Sequence, residues 1–494
     1  MPRFFVLIFG FIALQSSVYV IADDGSPTTD QPQIDWLEAL PVEQVREDLE
    51  VMYQGLQNGH ANLYAQRSPA EYFRFYESMR DAITRPMSRR DVQIAFARFA
   101  AFGKVAHANV GFPNDAFEQF RNQGGRTFPF YLRIVDGVVF VSENLSGHTD
   151  IQTGDVVTAL NGRPMSEWLD RVADHISADS PYIAHSLLEF TFARDLWAVL
   201  GEVDTFDLDL ERNGDAFRVE VKATRRDQQR AAAVDLTETF SLSGNERKFQ
   251  MLDERLGYLR PGPFYNVENP SELWDNTAFV AFINQAFEQL LSQQAESLII
   301  DLRQNPGGDN SFSDPMLAWI ADEPFRFCSL FLIRSSDEAA ASNAKRLDAS
   351  GNLSGVSAQF AKEYDRVPRG HLFPFDIPFA EPRKGERFDG KVYVLINRHS
   401  YSNAVNVAAM VQDYGMGTIV GEKTSDLATT YGAMEQFSLP NTGISVSFPK
   451  AHIVRPSGDT QPDGVTPDWA IPSPVTSTQT DTVLDQLIER LQSN

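Results

Sequence analysis

The chain has 494 residues, a formal charge of -24 and 43% hydrophobic residues. That length points to about two to four domains, and the acidic balance repels phosphate backbones and anionic lipid, which argues against nucleic acid and membrane surfaces as partners. Cys328 is the only cysteine, so no internal disulfide forms; the eight histidines lack metal-ligand spacing and no HExxH occurs, so neither a metal nor an organic cofactor is expected.

Met1-Pro2-Arg3 precedes an apolar run from Phe4 to Leu14 and a small residue, Ala22, before Asp23-Asp24. A basic start, a short apolar core and a small final residue make a secretory signal peptide over residues 1–22. The run is shorter than the roughly 20 apolar residues of a membrane helix, and no later stretch approaches that length. The expected mature chain begins near Asp23, has no membrane span, and is exported to a periplasm or secreted. No cysteine adjoins the cleavage point, so no lipid anchor is expected there.

Over residues 23–115, Leu37, Leu40, Val45, Leu49 and Met52, then Tyr72, Phe75 and Met79, then Val92, Phe96 and Phe99 recur at helical spacing, which predicts an N-terminal helical domain. Residues 126–230 change to short alternating strands, Phe130–Ile134, Val138–Val141 and Val156–Leu160, with Asn161-Gly162 as a tight hairpin turn. Within them GDVVTALNGRPMSEWL resembles the last strands of a PDZ-like domain, although the glycine-rich carboxylate-binding loop of such domains is not visible. From 245 to 475 continuous apolar strands (Leu298–Arg303, Val392–Ile396, Thr418–Val420) alternate with helices (Thr277–Leu291, Asn403–Val411), which argues for an α/β core whose sheet is covered on both faces. The polar stretch Ser335–Arg369 reads as an insertion or flexible loop, and residues 476–494 as a C-terminal helix.

Two strand-to-turn junctions carry chemistry. In Asp301-Leu302-Arg303-Gln304-Asn305-Pro306-Gly307-Gly308, paired glycines let the backbone turn tightly with amides facing outward, as an oxyanion hole requires; the same residues also make ordinary turns. In Asn397-Arg398-His399-Ser400-Tyr401-Ser402-Asn403, a hydroxyl sits at a helix start, where the helix dipole stabilises a developing anion. Serine is also a favoured helix cap, so Ser402 taken alone reads as a cap rather than a nucleophile, and the case turns on both junctions occurring together.

Together, DLRQNPGG, VYVLINRHSYSNAVNVAAMVQDYG and TIVGEKT resemble the family of tail-specific (C-terminal processing) proteases, tricorn core proteases and interphotoreceptor retinoid-binding protein. The resemblance covers roughly 257–471, and the closing Gly464-Val465-Thr466-Pro467-Asp468 shares it. It implies a serine peptidase acting on polypeptide substrates, with an α/β, crotonase-like catalytic core. In register, the family's nucleophile falls on Ser402 rather than Ser400, and its oxyanion donors on Gly307, Gly308 and the amide of Asn403.

The family's lysine base falls on Leu427, which accepts no proton; Lys423 is the nearest substitute. The tricorn-like branch takes a histidine after a helical N-terminal region, and Ala106-His107-Ala108-Asn109 occupies that place without the Asp-Gly that usually precedes it. Imidazole titrates near neutral pH and suits the role, so His107 is the expected base, ahead of His60 and of His399, which faces away from its neighbour's side in an extended segment. The third member of that pattern is a glutamate where this chain has Gln461; Asp459 and Asp463 flank it, and Asp463 is the expected choice. The same resemblance admits a second reading, a catalytically inactive carrier of an apolar ligand or peptide, to which the 36 phenylalanines are suited. A CoA-dependent crotonase-type enzyme rests on fold analogy alone.

Overall fold

The computed structural model describes residues 35–233, 246–350, 355–476, 478 and 480–493; the leader over 1–22 lies outside them. Its central sheet explains the continuous apolar strands. Leu298 and Ile300 join one hydrophobic cluster while Ile299 joins another, and Val392, Val394 and Ile396 divide from Tyr393 and Leu395 in the same way. Side chains alternate across a strand, so a strand apolar at every position needs cover on both sides. Helices Thr277–Ser292, Asn310–Leu317 and Asn403–Asp413 supply it on one face and helix Thr482–Gln492, through Val483 and Leu487, on the other.

The strand order is Lys248–Met251, Leu256–Arg260, Ser297–Asp301, Lys391–Ile396, Thr418–Gly421, Trp469–Ala470, with the first antiparallel and the rest parallel. Asp301 pairs with Leu395, so the two chemistry-bearing turns leave the same end of adjacent strands, where ligands bind in open parallel sheets. Arg303 ties that end to the C-terminal helix: it bonds Asp301 (2.7 Å) and Asp481 (2.6 Å), whose other oxygen caps the helix at Leu484.

A second, antiparallel sheet runs Leu372–Pro374, Leu330–Arg334, Ser445–Val454, Thr430–Ser438. Onto it the N-terminal segment is stitched, Asn109 opposite Ser447 and Val110 opposite Val446. The helices Val42–Gly59, Pro69–Ala82 and Arg89–Ala101 do not keep a core of their own; Leu49, Met52 and Phe96 belong to the cluster that includes Val446 and Phe448. Gly59 makes this approach possible, since a Cβ there would stand 2.7 Å from the Phe448 ring.

Residues 126–230 form an antiparallel sheet, Phe130–Val135, Val138–Asn144, Val156–Leu160, Thr205–Arg212, Asp215–Lys222, with helices Met165–Ala173 and Pro181–Leu200 packed on it through Trp168, Leu188 and Phe192. The Asn161-Gly162 turn forms as expected, with φ of 50° and 70°, the two positive values of a type I′ hairpin. The segment 335–369 departs from the expected loop. It contains helices Asp337–Ser350 and Val356–Arg366, the second burying Val356, Phe360 and Tyr364. Its polar composition hid an apolar face of only three or four residues. No helix among the described residues is long and apolar enough to cross a membrane.

Candidate active site

Ser402 is not a helix cap. It precedes helix Asn403–Asp413, yet its side chain makes no capping bond, and its backbone sits at φ 51°, ψ -120°. For a residue with a Cβ that conformation costs about 1–3 kcal/mol and persists only where the surroundings impose it. They do so here: the Tyr401 amide donates to Asn305 O (2.9 Å) and the Ser402 amide to Asp426 Oδ2 (2.6 Å). A sharp strand-to-helix turn with a strained serine exposes its hydroxyl, the geometry of the nucleophile turn in α/β-hydrolases. Ser400 differs. It is buried, its Oγ donating to Leu302 O at 2.8 Å and accepting from the Asn397 amide.

The first junction lies against this turn. A Cβ on Gly307 would fall 2.7 Å from the Asn403 nitrogen and 2.8 Å from Ser402 Cβ, and one on Gly308 2.1 Å from Phe264 O. Both positions therefore require glycine, at φ 88° and 137°. The Gly307 amide, expected to face the oxyanion, instead donates to Asn305 Oδ1 (2.8 Å). Asn305 turns its side chain back on its own loop and consumes that donor. Gly308 and Asn403 remain, both lining a cavity of about 40 Å³ with Ser402 and His107. The Asn403 amide opens a helix, where backbone donors lack intrahelical partners.

His107 thus meets Ser402 across the cavity, carried there by the pairing of Asn109 and Val110 with strand Ser445–Val454. Its Nδ1 is buried without a hydrogen-bond partner. The tripeptide bearing it is held from both sides by the turn after helix Met165–Ala173: Ser177 Oγ donates to Ala108 O (2.5 Å), and Asp179 Oδ2 accepts from the Ala106 amide (2.9 Å). Enclosure by protein pushes the Asp179 carboxyl up to about 6, and the nearby Asp426 adds to the rise while His107 opposes it.

The other candidates fall elsewhere. His60 is 1% exposed, its Nδ1 accepting from the Asn62 amide, and burial with the charge of Arg334 pushes its pKa down to about 3. His399 points away from Ser402, as expected, with Nε2 2.8 Å from Glu189. Lys423 Nζ is bound to Asp463 (2.6 Å), and Leu427 presents an apolar wall to the cavity. Asp463, expected to orient His107, is itself engaged by that lysine at the exposed surface; Asp459 and Gln461 are likewise exposed. The backbone of loop 459–463 is tied to the segment after Leu427, the Ala428 amide donating to Asp463 O (2.9 Å) and Thr429 Oγ1 to Asp459 O (2.6 Å), and this leaves its side chains at the exposed surface. Asp179 and Asp426 were absent from the sequence reading. Asp426 adjoins the position in register with the family lysine, whereas nothing local marks Asp179.

Residues 273–471 match the model of peptidase family S41. The match spans about two-fifths of the chain. The chain is accordingly a serine-type peptidase, as the two junction motifs implied. Among solved structures, mature CPAF complexed with lactacystin aligns with a TM-score of 0.61 and 18% identity, over 92% of this chain and 97% of that one. Mature CPAF in another crystal structure gives 0.59 and 18%, over 87% and 92%. The photosystem II D1 C-terminal processing protease gives 0.42 and 16%, over 87% and 93%. At these identities the CPAF likeness speaks for a common fold. No curated protein sequence matches the chain.

Proposed function

We propose that this S41 chain is an exported serine endopeptidase that hydrolyses peptide bonds through an acyl-enzyme on Ser402, with His107 as general base. The observation that carries the reading is the strained, uncapped Ser402 facing His107 across one cavity. In the sequence of steps, His107 takes the hydroxyl proton as Ser402 Oγ attacks the scissile carbonyl. The amides of Gly308 and Asn403 receive the oxyanion. His107 then protonates the leaving amine, and water repeats the sequence on the ester. The crotonase-like description of the core is supported by the two-face-covered parallel sheet with both turns at one end. The PDZ-like description of residues 126–230 is supported by their antiparallel sheet with its Asn-Gly hairpin. Export rests on the pattern of residues 1–22.

The cavity of about 40 Å³ favours a side chain of an extended peptide over a large apolar ligand, since pockets for such ligands measure roughly 300–1,000 Å³. Labelling of the purified mature protein with a serine-directed fluorophosphonate tests the reading. Rapid labelling that Ser402→Ala and His107→Ala abolish, and Lys423→Ala leaves, is the expected result. An unlabelled wild type would return the chain to the ligand-carrier reading.

A further inference from the structure

Resting on that reading of Ser402 and His107, the geometry points to Asp179, from the turn 177–179 of the β domain, as the positioning residue that orients His107 and offsets its charge during turnover. Three observations converge. A general base that shuttles a proton needs its second ring nitrogen held by an acceptor, because that bond sets the tautomer and stabilises the imidazolium. His107 Nδ1 is buried and has no hydrogen-bond partner. The carboxylates of the C-terminal loop are exposed, with Asp463 engaged by Lys423. Asp426 has each of its oxygens turned to a backbone amide on the nucleophile's side, Oδ2 to Ser402 (2.6 Å) and Oδ1 to Leu427 (2.8 Å).

Asp179 is the acid that the fold places beside the histidine. Its Oδ2 holds the amide immediately before His107, while Ser177 holds the carbonyl immediately after it. A carboxylate offers about four acceptor sites, so the amides of Ala106 and of Asp179 itself leave capacity for the ring. The charged groups that act on Asp179 are His107 and Asp426. Two carboxylates facing each other disfavour double ionisation, and an imidazolium formed between attack and leaving-group departure relieves that repulsion. The chain thus replaces the missing C-terminal glutamate with an acid from a different domain, which makes the seating of that domain a condition of a working base.

The test compares Asp179→Asn, Asp179→Ala, Ser177→Ala and Asp463→Asn with wild type. Asp179→Asn preserves the bond to the Ala106 amide and should lower kcat by about 10²–10⁴-fold, with KM within about twofold and the thermal midpoint unchanged. Fluorophosphonate labelling should slow in parallel, and Asp463→Asn should match wild type. An independent reading comes from the imidazole proton spectrum of Ser402→Ala protein at acidic pH. A strongly downfield Nδ1–H resonance should be present there, be lost with His107→Gln, which assigns it, and be lost with Asp179→Asn. Wild-type kcat in Asp179→Asn, or persistence of that resonance in it, overturns the proposal, as does an equal loss in Asp463→Asn. If the resonance follows Asp179 but wild type never labels, the pairing stands and the peptidase reading fails.

Discussion

The chain contains the tripeptide His-Ala-Asn twice, at His60-Ala61-Asn62 and His107-Ala108-Asn109, and both copies lie against strand Ser445–Val454. At the first, the Ala61 amide bonds Pro449 O, and the imidazole is buried with Arg334 as its charged neighbour. Everything there disfavours a proton on the ring. At the second, the imidazole edges a cavity shared with a strained serine, and the flanking backbone is clamped by Ser177 and Asp179. The same three residues make a structural histidine in one place and a candidate base in the other. What differs is the charge brought to the ring by chain segments distant in sequence.

The largest effect expected from breaking this contrast is on turnover. His107→Ala should reduce kcat by about 10⁴–10⁶-fold, since a nucleophile and its base act as a unit, while His60→Gln should leave kcat within about threefold. Peptide hydrolysis by the two variants, measured side by side, decides it. Comparable losses in both would mean that the cavity around His107 is not where chemistry occurs.

A second contrast lies within the nucleophile loop itself. Its Ser402 side is strained and open, whereas its Arg398–His399 side is fully bonded: Glu189 meets Arg133 (2.7 Å), Arg398 (3.1 Å) and His399 (2.8 Å), and accepts the Ile134 amide (2.8 Å). The cations beside Glu189 hold its carboxyl below the usual range against the opposing effect of burial. Removing one partner from such a buried network leaves charges unpaired and costs about 3–5 kcal/mol. Glu189→Gln should therefore lower the unfolding free energy by that amount, read as a lower urea midpoint, and it should reduce activity at temperatures where the variant stays folded, because Arg398 and His399 no longer anchor the turn. Unfolding monitored by fluorescence, with kcat measured on the same samples, separates the two consequences.

Acid sharpens the first comparison further. The folded pKa of His60, about 3, lies below its unfolded value of about 6.5. The neutral ring is the form the fold accepts, so its contribution to stability is full above about pH 6.5 and declines as pH falls toward 3. His60→Gln should flatten the loss of stability between those limits, read from urea midpoints at pH 7, 5 and 4. An unchanged pH slope would mean that the ring protonates in the folded state without penalty.

Much of this architecture was readable from residue order. Leu298-Ile299-Ile300 and Val392-Tyr393-Val394-Leu395-Ile396 required a sheet covered on both faces, and Asn161-Gly162 required a hairpin; both follow from local rules of alternation and backbone freedom. Ser402 was legible only as one of two readings, because a cap and a nucleophile occupy the same place at a helix start. The backbone dihedrals separate them. The amphipathic helix Val356–Arg366 was lost in polar composition. Asp179 lay beyond reach altogether, since it contacts Ala106 from 73 residues away through a single side-chain bond, and no motif surrounds it.

The smallest expected effect is at Lys423, and it bears on how this chain departs from the lysine-dependent proteases that it resembles. Lys423 is about two-fifths exposed and paired with the more exposed Asp463. Pairs of this kind contribute about 0–1 kcal/mol, so Lys423→Ala should leave the thermal midpoint nearly unchanged. It should also leave kcat within about twofold, because an ammonium held by a surface carboxylate is not within reach of Ser402, and Leu427 closes that side of the cavity with an apolar wall. A kinetic loss of a hundredfold or more would require the loop 423–427 to rearrange on substrate binding and bring the lysine inward. That motion would have to break the Tyr182 hydroxyl bond to Lys423 O (3.0 Å) and the Ser425 bonds to Ser186 (2.8 Å) and Arg398 O (2.6 Å). The first two bonds fasten the loop to helix Pro181–Leu200, which follows directly on Asp179, and the third fastens it to the nucleophile loop, so the segment that holds the backbone beside His107 leads into the helix that keeps a lysine out of the site.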